Sequence, residues 1–199
     1  MFQEARIVET YTNQGSDFIR HCLIEALWQL MKEKPYEEIE AKEICGKAVV
    51  GRTTYYRYCG SREGKITLIQ QEIDSDYLSF VKAHESEVPP DHVKQDWLLP
   101  HFYFAEKEEI QILCSLHLES AVYRLIERLY GPTEKEEDGE FYLKYIGVGW
   151  QKGIFDAIVK KGFCESPEEI ERKAVSALIA NWLQKQKSIE ASQKPSSDK

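Results

Sequence analysis

The segment from Arg52 to Cys59, RTTYYRYC, holds the densest group of side chains in this chain that can contact nucleic acid. An arginine can donate two hydrogen bonds to guanine in the major groove, and a threonine methyl group can contact the methyl group of thymine. Tyrosine hydroxyls and further basic side chains can donate to phosphate oxygens, which positions a protein on the duplex. The residues that we expect to contact DNA are Lys47, Arg52, Thr53, Thr54, Tyr56, Arg57, Tyr58 and Arg62.

The distribution of charge favours an anionic partner here, although the chain as a whole is acidic. The formal net charge is -8, from 26 lysines and arginines against 34 aspartates and glutamates. Residues 1–70 carry ten of each sign, so the whole acidic excess falls in residues 71–199. From Cys45 to Lys65, five basic residues accompany a single acid, Glu63. Because phosphate binding responds to the local field, this segment suits DNA.

The same region has the pattern of a helix-turn-helix. One short helix contains Ala48, a small residue where two helices can cross, and Gly51 can precede a second short helix. Tyr55 can help to hold the pair together. Arg52 and Thr53 then lie at the start of the second helix, where base edges lie if that helix enters the major groove. The alternative from residues alone is a solvated basic face on a helical hairpin.

The segment Leu23 to Ile66 resembles the DNA-binding domain of the TetR (tetracycline-repressor) family of bacterial regulators. It reads LIEALWQLMKEKPYEEIEAKEICGKAVVGRTTYYRYCGSREGKI, about a quarter of the chain. Its Pro35-Tyr36 corresponds to the family's corner, and Ile44 to Gly51 corresponds to the family's turn between the two helices. The positions that match the recognition helix and the start of the next helix are Thr54, Tyr56, Tyr58, Ser61, Arg62 and Glu63.

This resemblance implies an all-α fold with an N-terminal three-helix helix-turn-helix domain at residues 1–65. A larger helical domain at 66–188 would dimerise through its last two long helices and enclose a small-molecule pocket. Residues 189–199 are polar and unpatterned, which predicts a disordered tail. The implied function is a homodimeric repressor that binds a palindromic operator in double-stranded DNA and responds to a small-molecule effector.

Five positions depart from the family pattern: Glu40, Val49, Gly51, Cys59 and Lys65. Val49 stands where the family usually has a glycine, and a β-branched residue is strained there if the backbone needs a positive φ. These departures motivate an alternative hypothesis. The chain would have the TetR fold but weakened DNA binding, and it would act through a protein partner as a co-regulator.

Apolar residues recur at three- and four-residue steps through most of the chain, which predicts helices and no sheet. Long helices are expected at about 17–34, 66–80, 108–130, 140–161 and 166–188. Glycines inside the penultimate helix cost stability unless another helix approaches closely. The residues that we expect at a dimer interface are Gly149, Gly153, Ala157, Leu178 and Trp182; ordinary packing within one chain is the alternative.

Aromatic and histidine side chains in the second half of the chain are candidates for lining an effector pocket. A plain hydrophobic core is the competing interpretation of such a stripe. The candidates are Trp97, Phe102, Phe104, His117, Tyr123, Tyr145 and Trp150.

Other functional classes find less support in the sequence. The chain has no long uncharged apolar run and its first residues, MFQEARIVET, lack a secretory pattern, so we expect a cytoplasmic protein with no membrane partner. Five scattered cysteines without a C-x-x-C pair favour neither a disulfide framework nor a zinc site. Catalytic signatures such as a nucleophile elbow, a phosphate loop or HExxH are absent, so we expect no enzyme, metal or cofactor.

Overall fold

The computed structural model describes residues 2–60, 64–133 and 138–193, and their regular secondary structure is entirely helical. The prediction of an all-α fold is therefore confirmed for these residues. Among them, no helix is both long and apolar enough to cross a membrane. The α-helices are α1 (Phe2–Glu33), α2 (Ala41–Ala48), α3 (Arg52–Cys59), α4 (Gly64–His84), α5 (Lys94–Ala105), α6 (Lys107–Ser115), α7 (Ser120–Tyr130), α8 (Asp138–Lys160) and α9 (Pro167–Gln193).

The chain divides into two compact units. The N-terminal unit comprises Met1–Ser86 and Glu109–Leu129, and the C-terminal unit comprises Glu87–Glu108 and Tyr130–Lys199. This division differs from the predicted boundary at residue 65. The reason is that α4 packs on both α1 and α3, so it belongs with the three helices that precede it.

The core of the N-terminal unit is built from one face of α1. Leu23, Ile24 and Leu27 are buried, and their spacing places them on one side of the helix. Ile44 of α2 and Ile69 of α4 are buried in the same unit, where α1 packs on both helices. Each short helix is thus stabilised by tertiary contacts, which a helix of eight residues needs in water.

The predicted helix at 108–130 is interrupted. His117 adopts a left-handed conformation with φ 56°, and the Leu118 N–H donates to the Leu113 carbonyl oxygen at 2.9 Å. This is the six-to-one bond of a Schellman motif, which ends α6, and the buried Leu118 side chain supplies the hydrophobic contact that accompanies it. Histidine adopts the left-handed conformation more readily than most residues do. The apolar residues on both sides of His117 keep the spacing of one helix, which is why the sequence pattern predicted no break there.

The C-terminal unit is centred on aromatic pairs. The Tyr103 ring of α5 packs edge-on against Phe155 of α8 with centroids 5.1 Å apart, and Phe104 packs similarly on Phe163 at 5.3 Å. At the start of α9 the Ser166 hydroxyl accepts from the Glu169 N–H at 3.3 Å, which satisfies a free N–H of the first turn. Helix α9 extends to Gln193, so the predicted tail at 189–199 overlaps its end, and residues 194–199 lie outside the described part.

Asp76 of α4 lies in an unfavourable electrostatic environment within the N-terminal unit. Burial, followed by the nearby Glu72 and Glu109, raises the pKa of its carboxyl to about 6 against the opposing effects of Arg20 and His21. The pKa of an aspartate in an unfolded chain is about 3.9. Because the folded state holds this proton more tightly, Asp76 destabilises the fold increasingly as pH rises from about 4 through about 6.

We predict that Asp76→Asn is more stable than the wild type at pH 8, by about 1 kcal/mol after allowance for solvent screening of a half-exposed group. The difference should shrink as pH falls and disappear at about pH 3, which is below the pKa of the wild-type carboxyl in both states. Urea denaturation at several pH values measures this. Asp74→Asn is the control, because the Asp74 carboxylate pairs with Arg128 and its removal should not stabilise the fold. A pH-independent gain for Asp76→Asn would contradict the proposed cause.

Candidate nucleic-acid interface

The start of α2 is fixed by a carboxylate and a lysine. The Glu43 carboxylate accepts from the Glu40 N–H at 2.9 Å and from the Lys34 ammonium at 2.6 and 2.7 Å. The hydrogen bond from Lys34 has the largest effect in lowering the pKa of Glu43, and the bond from the Glu40 N–H lowers it as well. Glu40 is neither a serine nor a threonine, but its backbone N–H donates to the Glu43 carboxylate. The bonds from Lys34 to the same carboxylate hold the start of α2 against the end of α1.

The turn between α2 and α3 contains the strain that the sequence predicted. Val49 adopts a left-handed conformation, φ 56° and ψ 40°, and its side chain is 90 % exposed. The following Val50 N–H donates to the Cys45 carbonyl oxygen at 2.9 Å, which ends α2. Since a β-branched residue is unfavourable at positive φ, this turn is held by the packing of the two helices on either side.

Helix α3 is seated by its inner face. Tyr55 and Cys59 are one turn apart, and each is only 3 % exposed. Cys59 lies against the start of α4, where a methyl group added at Gly64 would come within 2.6 Å of the Cys59 carbonyl oxygen. Only glycine allows so close an approach, so the end of α3 and the start of α4 fit together through a small residue on each side.

The outer face of α3 presents the predicted DNA-contacting side chains. Arg52, Thr53, Tyr56 and Arg57 are exposed, while Thr54 and Tyr58 are half-buried. The guanidinium of Arg57 lies 5.3 Å from the centre of the Tyr58 ring. The structure therefore brings six of the eight predicted residues together on this one short helix. Arg62 lies outside the described residues.

Two of the five basic residues between Cys45 and Lys65 make polar contacts within the N-terminal unit. Lys47 forms an ion pair with Glu33 at 2.6 Å, and both side chains are partly exposed. The Lys65 ammonium donates to the carbonyl oxygens of Tyr36 and Ile39 at 2.6 and 2.9 Å and lies 4.3 Å from the Tyr36 ring centre. Burial lowers the pKa of Lys65. The Lys65 ammonium thus holds the 36–39 segment in place through two carbonyl oxygens.

The buried cysteines of this region are not reactive groups. Burial raises the pKa of the Cys59 thiol to about 12, and it raises the pKa of the Cys45 thiol as well. Both therefore stay protonated at neutral pH and act as small apolar residues of the core.

The aromatic and histidine residues predicted to line one pocket are divided between the two units. His117 and Tyr123 belong to the N-terminal unit and the other five to the C-terminal unit. Within the latter, Phe102 is buried and Tyr145 is exposed, while Trp97 stacks on His101 with ring centres 3.7 Å apart.

Trp150 does line a groove of about 410 Å³ between α8 and α9, which we call the α8–α9 groove. Its other lining residues include Gly149, Gly153, Ile154, Ala157, Ile158, Phe163, Ile170, Ala174 and Ala177.

Three of the predicted dimer-interface residues, Gly149, Gly153 and Ala157, line this groove. A methyl group at either glycine would meet no heavy atom within 4 Å in the described part of the chain, so no neighbouring helix of this chain approaches them closely. The side chains of Leu178 and Trp182 lie outside the described residues. Nearby on α8, large apolar side chains are exposed: Phe141, Tyr142, Leu143, Tyr145 and Ile146.

Comparison of the chain with protein-family models, with curated proteins and with solved structures finds no match.

The strained turn gives a stability prediction. Val49→Gly should raise the free energy of unfolding by about 1 kcal/mol, because glycine adopts the left-handed conformation without strain and the exposed valine loses little buried area. The control is Val175→Gly, since Val175 is also an exposed valine but lies inside helix α9. That change should destabilise the protein. Equal losses for both variants in urea denaturation would show that the turn at Val49 is not strained.

Proposed function

We propose that this protein is a homodimeric repressor of transcription that binds a palindromic operator in double-stranded DNA under the control of a small-molecule effector. The observation that carries the proposal is the two-sided character of α3. Its inner face is locked by Tyr55 and Cys59, and its outer face exposes Arg52, Thr53, Tyr56 and Arg57. A short helix that is rigid on one side and rich in hydrogen-bond donors on the other suits insertion into the major groove.

The position of each side chain on α3 suggests its role. Arg52 and Thr53 occupy the first turn, which enters the groove first and reaches base edges. Tyr56 and Arg57 lie one turn later, where hydroxyl and guanidinium groups can reach phosphate oxygens. The first turn of α3 contains no acidic residue, so its free N–H groups and partial positive charge also favour an anion.

A twofold partner is supported by the C-terminal unit. Tyr142 and Leu143 of α8 are each 68 % exposed, beside the open glycines of the α8–α9 groove. Large exposed apolar patches on soluble proteins commonly mark interaction sites. A second copy seated here would cover this surface and give the dimer the symmetry of a palindromic operator.

The prediction for DNA binding separates base contacts from phosphate contacts. Arg52→Ala and Thr53→Ala should weaken binding to the preferred operator by about 1–3 kcal/mol and reduce discrimination between sequences. Tyr56→Phe should weaken binding to all duplexes, and Arg57→Ala should also reduce the salt dependence by about one unit of slope. Operator selection from a random duplex library, then fluorescence anisotropy over a range of salt concentrations, measures both effects.

The matched control is Arg172→Ala, which removes an exposed arginine from α9 in the C-terminal unit and should leave operator affinity unchanged. Full operator affinity in Arg52→Ala together with Tyr56→Phe would exclude α3 as the recognition helix.

The proposed dimer gives a separate prediction. Gly153→Glu should convert a dimer into a monomer in sedimentation velocity experiments, because a carboxylate would be buried against the partner. The fold should tolerate the change, since the position is exposed and open. Gly46→Glu is the control, because Gly46 is equally open but lies on α2 in the N-terminal unit. A Gly153→Glu variant that stays dimeric would place the interface elsewhere.

One observation favours a second candidate, a co-regulator of the same fold that acts through a protein partner. Lys47 and Lys65 are engaged with groups of their own unit, which reduces the positive charge available to phosphate. Library selection distinguishes the two candidates. An enriched palindrome supports the repressor, whereas weak binding without sequence preference, together with a specific protein partner, supports the co-regulator.

A further inference from the structure

Lys42 of α2 is a basic residue that is not among those the sequence predicts to contact DNA. It occupies the second position of α2, and its side chain is 57 % exposed. Its ammonium lies 2.8 Å from the carboxylate of Glu40, a side chain that is 62 % exposed. Because the two residues are only two positions apart, this ion pair connects no separate elements of the fold. Exposed pairs of this kind contribute little to stability, so another anion can replace the carboxylate at small cost.

Arg52, the first residue of α3, lies close to Lys42. The hydrogen bond to Glu40 and the attraction between the two charges raise the pKa of Lys42, whereas the positive charge of Arg52 opposes this rise. Burial raises the pKa of the Cys45 thiol, and the same arginine charge opposes that rise too. Lys42 and Cys45 are three positions apart and therefore share one face of α2. Arg52 is thus placed beside this face, and its guanidinium and the Lys42 ammonium form a pair of neighbouring cations.

The position of Lys42 is unfavourable for a cation when DNA is absent. Lys42 lies in the first turn of α2, where the partial positive charge of the helix dipole opposes an ammonium group. Arg52 adds repulsion between like charges. The Glu40 carboxylate offsets both effects, and a phosphate group between the two helix starts would offset them in the same way.

The neighbouring pair of Lys34 and Glu43 has a different role. The Lys34 ammonium also donates to the Glu38 carbonyl oxygen, and the Glu43 carboxylate also accepts from the Glu40 N–H. These bonds connect the end of α1 with the start of α2, and the two side chains are only 26 % and 32 % exposed. The Lys34 pair therefore stabilises the fold, whereas the pair of Lys42 with Glu40 is free to exchange its anion.

We propose that Lys42 binds a backbone phosphate of the duplex beside Arg52, and that Glu40 is a competing anion within the chain that must first release Lys42. The inference rests on the proposed DNA binding by α3 and adds to it a pair of residues that sets affinity. The released Glu40 carboxylate stays near the phosphates and repels them, so it weakens binding. A phosphate contact carries no sequence information, so the choice of operator is left to the first turn of α3.

Removal of the Glu40 charge should strengthen DNA binding. Glu40→Gln keeps the length of the side chain, and Glu40→Ser supplies a favourable capping residue, so both variants should keep the start of α2. Each should bind the selected operator and an unrelated duplex about three- to tenfold more tightly than the wild type at low salt. Lys42→Gln should weaken binding to both duplexes and reduce the slope of log affinity against log salt concentration by about one. Fluorescence anisotropy with labelled duplexes measures these changes, and thermal melting verifies the fold of each variant.

A double variant separates the ion pair from a general change in charge. Glu38→Gln is the matched control, because it removes an equal charge from an exposed side chain two positions away. In the Lys42→Gln background, Glu40→Gln should strengthen binding no more than Glu38→Gln does, because the lysine that Glu40 occupies is gone.

The outcomes distinguish this inference from the proposed function. Wild-type binding with equal gains for Glu38→Gln and Glu40→Gln would overturn the inference alone, and so would an undiminished gain in the Lys42→Gln background. Binding that appears only when the Glu40 charge is removed would support it. Absence of binding by the wild type and by both Glu40 variants would overturn the inference together with the role of α3.

Discussion

The burial of Tyr55 and Cys59 is the constraint on which the candidate interface depends. Helix α3 is only eight residues long and has no side-chain cap at Gly51, so it is not stable alone. Its position is set by the two buried side chains and by the close approach of Cys59 to Gly64 at the start of α4. Because these contacts define the inner face, the outward direction of Arg52 and Tyr56 follows from helical geometry.

The polar contacts around α3 stabilise the fold, but they also reduce the positive charge that is available to bind phosphate. Glu43 and Lys34 hold α2 on the end of α1, and Lys65 satisfies two carbonyl oxygens of the preceding segment. These bonds hold α2 and the segment before it in place, but they reduce the positive charge available at the surface. The ion pair of Lys47 with Glu33 is different, because both groups are partly exposed and such pairs contribute little to stability. A phosphate can therefore compete for Lys47 at small cost, whereas the half-buried Lys65 is held by two backbone carbonyl oxygens of the fold.

Sequence reasoning was most successful where the pattern of buried residues was local. The three-four spacing on α1 could be predicted directly, and so could the strain at Val49, because each depends on a few adjacent residues. The break at His117 could not, since the spacing of apolar residues on both sides of it is that of one continuous helix. Contacts between residues distant in sequence could not be predicted either. In the candidate interface, Lys47 and Glu33 are 14 positions apart, and nothing in the sequence signals their ion pair.

The groove proposed as the dimer surface shares part of its walls with a smaller cavity between α5, α8 and α9. Trp150, Ile154, Ile170 and Ala174 line both this cavity and the α8–α9 groove. A ligand that moves these side chains in the cavity also changes the shape of the groove that a second copy would contact. Ligand binding and dimer geometry are then linked equilibria, and each must change the other by the same factor. Control of DNA affinity would follow if one dimer geometry places the two recognition helices at operator spacing and the ligand favours the other.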